Sequence, residues 1–246
     1  MATVRIGTSG WSYDHWHPEL YPPGLAAASR LSLYADAFPT AELNRSFYRW
    51  PRPAAFRSWR DRLPADFLLS AKAPRGLTHA RKLYAPETWL DRIQAGWHEL
   101  REKRAVLLVQ LPPAQPRDDL RLAYFLRQVP AWIKVAVEFR HPSWHHEEIF
   151  ALLAEYRAAY CVMSGADLPC MLRATTDLVY VRMHGPDHHH LYAGSYPDAD
   201  LAWWADRIRE WSQAGQDVFV YFNNDGNANA VRNARTLQVL VSAGSR

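Results

Sequence analysis

Six ionisable residues stand near the ends of short, apolar, β-branched segments: Glu42, Lys72, Glu138, Arg140, Arg182 and His184. Side chains alternate across a strand, so residues two apart share a face. In segment 134–140, Val135, Val137 and Phe139 form one apolar set and leave Ala136, Glu138 and Arg140 opposite. In segment 178–185, Val179, Val181 and Met183 oppose Tyr180, Arg182 and His184, and in 217–224 Val218, Val220 and Phe222 oppose Phe219, Tyr221 and Asn223. The same parity selects Glu42, Asn44 and Ser46 in the second segment and Leu68, Ser70 and Lys72 in the third. Burying so many charges on one face is costly unless they meet each other, water or a ligand.

Lys72, Arg140, Arg182 and His184 together suit a phosphate or carboxylate, because planar guanidinium forks and ammonium groups bind such anions. Glu138, two residues from Arg140, is a carboxylate that a neighbouring cation would hold ionised, suited to orienting a hydroxyl or acting as a base. Glu42 is the second acidic candidate, but its strand lies far from that of Glu138, so a glycosidase-like carboxylate pair is a weak reading. Asn223 and Asn224 offer neutral donors and acceptors, and Trp11 and Trp144 follow strands, where a loop-built pocket would use them. The alternative is an internal ion-pair network that serves only the fold. His79, His141, His184 and His188–His190 lack a spaced ligand motif such as HExxH, which leaves a metal centre of Glu42, Glu138 and His184 as a minor alternative. No Gly-rich dinucleotide turn, Walker loop or nucleophile elbow occurs, and the sequence leaves the cofactor unknown.

The elements that must position these residues follow from periodicity. Eight strands are expected at 4–10, 41–48, 67–72, 105–111, 134–140, 159–165, 178–185 and 217–224. Helical spacing occupies 29–37, 54–62, 86–101, 118–128, 145–157, 200–214 and 227–242, while 166–177 is too short for a full helix. Strands alternating with helices predict a single (β/α)₈ barrel over residues 1–246, a usual length for that fold. In such a barrel, the outward faces meet helices, and the inward faces open into a site at the C-terminal ends of the strands.

Hydrophobic residues make up 48% of the chain and charged residues 22%, which argues against extended disorder. The net charge of +4, with no basic block along the sequence, hints at an anionic partner, either a small molecule or a nucleic acid. Cys161 and Cys170 form no zinc spacing, and no leader-like segment precedes Val4, so the cytosol is the expected compartment. The apolar run from Ala105 to Val109 is too short to cross a bilayer, and no membrane partner is expected. Nothing in the composition sets an oligomeric state.

Six motifs occur in order: Ile6-Gly7-Thr8-Ser9-Gly10-Trp11-Ser12-Tyr13, Glu42-Leu43-Asn44-Arg45-Ser46-Phe47-Tyr48, Gln110-Leu111-Pro112-Pro113, Glu138-Phe139-Arg140-His141-Pro142-Ser143-Trp144, Arg182-Met183-His184-Gly185 and Tyr221-Phe222-Asn223-Asn224. Taken together, they resemble the YecE-like family, domain of unknown function seventy-two. That resemblance implies a TIM-type barrel with no established activity. It also implies shared motif positions at Glu42, Asn44, Tyr48, Lys72, Gln110, Glu138, Arg140, His184, Asn223 and Asn224. Glu102-Lys103-Arg104-Ala105 departs from the glycine-containing turn that relatives usually carry before the fourth strand.

Three functions are therefore expected in order of preference. The first is an enzyme acting on an anionic, phosphorylated or nucleic-acid-derived substrate, with Glu138, His184 and Glu42 in catalysis and Lys72, Arg140, Arg182, Asn44, Gln110, Asn223 and Asn224 in binding. The second is a non-catalytic module for nucleic acid or a metabolite, using the same cations with Trp11, Tyr48 and Trp144 as rim aromatics. The third is a metal-dependent hydrolase.

Overall fold

The computed structural model describes residues 2–187 and 189–244. Its strands are β1 (Val4–Ser9), β2 (Thr40–Leu43), β3 (Leu68–Lys72), β4 (Arg104–Gln110), β5 (Lys134–Glu138), β6 (Ala159–Ser164), β7 (Leu178–Met183) and β8 (Asp217–Phe222). They run in sequence order in a parallel sheet that closes on itself, which is the (β/α)₈ architecture expected from the alternation. Between them come α1 (Arg30–Ala37), α2 (Pro53–Arg62), α3 (Glu87–Trp97), α4 (Asp119–Gln128), α5 (Glu147–Glu155), α6 (Asp198–Gln213) and, after β8, α7 (Asn229–Ala243). No helix joins β6 to β7. The Thr175 hydroxyl instead ties that connection down, donating to Ala158 O at 2.7 Å and accepting from Tyr160 N at 2.9 Å.

Local chemistry sets the element ends. Pro53 occupies the first turn of α2, where a missing N–H leaves nothing unsatisfied. Asp118 caps α4 by accepting from Arg121 N at 3.0 Å. β2 ends at Leu43, five residues before the expected strand ends. Ser46 closes the chain there into a turn of 3₁₀ helix (Arg45–Phe47) by donating to Leu43 O at 2.6 Å or to Lys72 O at 2.7 Å. The alternation through Asn44, Ser46 and Tyr48 is therefore not that of a strand.

Tertiary contacts divide the chain into two compact units. The first comprises residues 1–42, 162–172 and 177–246 and contains β1, β7, β8, α1, α6, α7 and the adjoining parts of β2 and β6. Its strands are held by β1–β8 and β7–β8 pairing, and Tyr34 of α1 ties β1 to β2 by accepting from Thr8 N at 2.9 Å and donating to Thr40 O at 3.0 Å. The second comprises residues 43–161 and 173–176 and contains β3 to β5, the first half of β6 and α2 to α5. In it Lys72 pairs with Leu108, and Gln110 with Glu138, so that Lys72, Gln110 and Glu138 fall on one face of adjoining strands.

The division separates charge. The second unit holds 21 of the 29 Lys and Arg but only 12 of the 25 Asp and Glu, giving it a strongly basic balance, while the first is acidic. Most of this basic excess lies in the continuous stretch 43–161, without forming a compact run of like charges.

The turn before β4 carries backbone strain. Arg101 takes φ 51° and ψ −124°, a conformation that glycine tolerates and a side chain resists. Lys103, almost fully buried, holds the turn by donating from Nζ to the carbonyls of Arg60 (2.6 Å) and Leu63. Among the described residues, no helix is long and apolar enough to cross a membrane.

Candidate functional site

In the first unit, Glu42 at the end of β2 is completely buried and completely partnered. Arg182 of β7 donates to it from Nη2 (2.7 Å) and Nε (3.1 Å), Tyr180 donates from its hydroxyl (2.6 Å), and Ser9 of β1 also donates. Tyr180 and Arg182 thus share a face, as their parity requires. Burial, followed by the charge of Glu42, pushes the Tyr180 hydroxyl well above its ordinary range, so it remains a donor. With Arg182 only 1% exposed, this is a closed ion pair rather than a cation held open for a ligand.

His184 is equally sealed. Its backbone donates to Ser164 O at 2.6 Å and accepts from Tyr192 N at 2.6 Å, and its Nδ1 lies 3.3 Å from Asn223 Nδ2. Asn224 is buried and donates to Gly194 O at 2.9 Å and Asn233 Oδ1 at 3.0 Å, pinning the β7–α6 connection to α7. Trp11 is also in the core, with its carbonyl accepting from Tyr21. Glu42, Arg182, His184, Asn223, Asn224 and Trp11 are therefore all buried, and the contacts of Glu42, Arg182 and Asn224 hold the fold together. His188 lies outside the described residues.

The second unit presents a different arrangement. Glu138 ends β5 fully buried, accepts from Arg140 through Oε1 and has the Cys161 thiol 3.8 Å from Oε2. Gln110 beside it is 8% exposed, and its Oε1 has no hydrogen-bond partner among the described residues. A buried acceptor left without a donor costs about 1–3 kcal/mol, so a strand end that keeps one is a place where a ligand donor would be stabilising.

Lys72 ends β3 with its ammonium 4.3 Å from the centre of the Phe47 ring, and the His79 ring meets the same phenyl edge-on at 4.8 Å. His79 lies in a single π-turn, Gly76–Ala80, directly after β3, and its Nδ1 is 3.0 Å from Thr78 Oγ1. Burial and then the charges of Lys72, Arg75 and Arg140 lower its pKa to about 4, so the imidazole is neutral near pH 7. The chain leaving this turn is strained. Lys82, Leu83 and Ala85 take φ values of +49°, +67° and +44°, and Leu83 is locked in by burial and by donating from its N–H to Leu77 O at 3.0 Å. π-turns and left-handed non-glycine residues concentrate at functional sites.

Sequence reading selected Lys72, Gln110, Glu138 and Arg140 here but missed Arg75 and the electrostatic role of His79. Their position in the loop right after a barrel strand was the available signal. Three expected ligand residues lie elsewhere. Tyr48 is 78% exposed on the 3₁₀ turn, and Asn44 only starts that turn. Trp144 is 1% exposed, stacked on Phe139 at 4.7 Å and 12°, with its indole N–H donating to Gln115 O at 2.8 Å. It is a packing residue, not an exposed rim aromatic. Among the described residues, no group of three His, Cys, Asp or Glu side chains stands close enough to hold a metal ion.

The sequence pattern of the family described as "Protein of unknown function DUF72" matches residues 5–246. The chain belongs to the DUF72 family. It is 28% identical to UPF0759 protein YunF of Bacillus subtilis (strain 168) over 97% of this chain and 94% of YunF. The match to UPF0759 protein YecE of Escherichia coli (strain K12), also 28% identical, covers 57% of this chain and 50% of YecE. Among solved structures, a DUF72 family protein from Thermotoga maritima MSB8 superposes with a TM-score of 0.88 at 26% identity, covering 98% of this chain and 99% of that one. A DUF72 family protein from Enterococcus faecalis V583 shares the fold, with a TM-score of 0.86 at 20% identity over 98% of this chain and 96% of that one. These relatives carry no established activity or substrate, so function in this DUF72 chain is argued from its own residues.

Proposed function

We propose that this protein is an enzyme acting on a small anionic substrate, phosphorylated or nucleic-acid-derived, at the C-terminal ends of β3, β4 and β5. The observation that carries this reading is the set of cations around His79. Lys72, Arg75 and Arg140 all act on one imidazole, while the carboxylate set against them is Glu138. Such a locus favours an anion, and Arg75 is exposed and carries no ion pair among the described residues.

In this reading Lys72 and Arg75 bind the anion, and Arg140 bridges it to Glu138. Neutral His79 has one nitrogen to accept a proton and one to donate, which suits general acid-base work near pH 7. The unpartnered Gln110 Oε1 would receive a substrate hydroxyl or amine. Glu42, Arg182 and His184 are given no part in the chemistry, because their contacts bind them to the fold.

The test is a thermal-shift screen against phosphomonoesters and nucleotides, repeated on Lys72→Met and Arg75→Ala. A ligand at a hundred times its Kd stabilises the folded state by about 2.7 kcal/mol, a readily measured rise in Tm. Loss of that rise in both variants is expected, with turnover of the same ligand abolished in His79→Ala. A screen in which no phosphate-bearing compound outperforms sodium chloride, or in which both variants respond like the parent, would sink the proposal.

A further inference from the structure

Outside that site, the segment Arg49-Trp50-Pro51-Arg52 forms the wall shared by two neighbouring clefts of about 440 and 450 Å³. Each is within the range of about 300–1,000 Å³ usual for small-molecule sites. Trp50 roots the ridge, buried against Phe56 and Trp97 at ring distances of 5.4 and 6.2 Å, and Pro51 limits its backbone freedom. Arg49 and Arg52 are left exposed on it.

Each cleft joins a half-exposed indole to further arginine. Trp59 and Arg45 line the first, and Trp89 and Arg92 line the second beside Tyr48. The Trp89 ring lies directly on the Gly76 backbone, where a Cβ would come within 2.1 Å of it. Among the described residues, none of Arg45, Arg49, Arg52 and Arg92 is paired with a carboxylate, although Arg57 and Arg60 on the same helix face of α2 and its flank do have acidic partners. All of this sits in the unit that carries the excess of positive charge.

We propose that this ridge and its two clefts bind single-stranded nucleic acid, with a phosphate held on Arg49 and Arg52 and the flanking bases stacked in the clefts. Unpaired arginines with interleaved aromatic faces are the chemistry of strand binding without sequence readout. Two concave stacking surfaces parted by a cationic ridge match bases splayed to either side of one phosphate. A duplex keeps its bases stacked on each other and offers none to the clefts. The inference uses none of Lys72, Arg75, His79 and Arg140, although its second cleft adjoins the π-turn that carries His79.

The test is fluorescence anisotropy with a labelled deoxythymidine oligonucleotide, its duplex with deoxyadenosine, and an abasic strand of equal length. The parent is expected to bind the single strand at least tenfold more tightly than either control. Arg49→Ala/Arg52→Ala should weaken binding tenfold or more and reduce the magnitude of the slope of log K against log salt by about 0.7 for each phosphate contact removed. Both positions are exposed, so an unchanged melting curve is expected to certify folding. Gly76→Ala, which displaces the Trp89 ring, should weaken binding of the intact strand and leave that of the abasic strand unchanged. Lys72→Met should bind the oligonucleotide like the parent, which separates failure here from failure of the catalytic proposal. Equal affinity for the three nucleic acids, or undiminished binding by the double variant, would overturn the inference.

Discussion

Arg182 meets Glu42 along two edges, Nη2 to Oε1 at 2.7 Å and Nε to Oε2 at 3.1 Å, and Tyr180 and Ser9 occupy the remaining carboxylate positions. Both charges are out of water, so neither can lose its partner cheaply.

Glu42→Ala is accordingly expected to destabilise the protein by about 3–5 kcal/mol, because it leaves a guanidinium buried without a counter-charge. Replacing both members, Glu42→Met with Arg182→Met, should cost less than the single change. Urea denaturation at neutral pH checks this, and a single variant within about 1 kcal/mol of the parent would show that the pair is dispensable.

His79 offers a prediction about pH. Its folded pKa of about 4 lies below the ordinary 6.5, so between those values the unfolded chain binds a proton that the folded chain refuses. The stabilising contribution is complete above 6.5 and is lost as pH falls toward 4. Nitrogen-detected NMR should find this imidazole neutral at pH 5, and Lys72→Met should move its titration upward. A His79 midpoint near 6.5 in the folded parent would contradict the cation cluster.

Arg101→Gly should stabilise the fold. The residue holds φ 51° and ψ −124°, and glycine relieves that strain at the expense of a more flexible unfolded chain. The balance is about 1 kcal/mol in favour of glycine, or roughly 2–4 °C in Tm for a chain of this size. A lower Tm would mean that the side chain contributes more than its backbone conformation costs.

Most of the architecture was legible in the sequence because strand and helix periods differ so plainly. The Val135, Val137, Phe139 alternation and the amphipathic stretch 118–128 each describe their own element, and 166–177 reads as too short for a full helix. The second strand was overread because Asn44, Ser46 and Tyr48 keep a two-residue polar rhythm through a 3₁₀ turn, and a hydroxyl bonding back to Leu43 O is invisible to pattern.

The site was legible only in part. Parity selected Glu42, Tyr180 and Arg182 as face-sharing residues, but it could not say that they would saturate one another. Nor could it expose the His79 environment, which depends on charges contributed by one strand end and two loops. The basic balance of one unit went unread for a different reason: charge was summed over the whole chain, while 20 of that unit's 21 Lys and Arg lie within residues 43–161.

The stacked rings of Phe139 and Trp144 bracket Arg140 within a six-residue span, and the indole is fastened again to Gln115 O. A backbone clamped on both sides loses little conformational entropy when a guest arrives. If Arg140 takes the anion as proposed, its site is preorganised, and the speed of complex formation there should follow encounter frequency rather than a loop rearrangement.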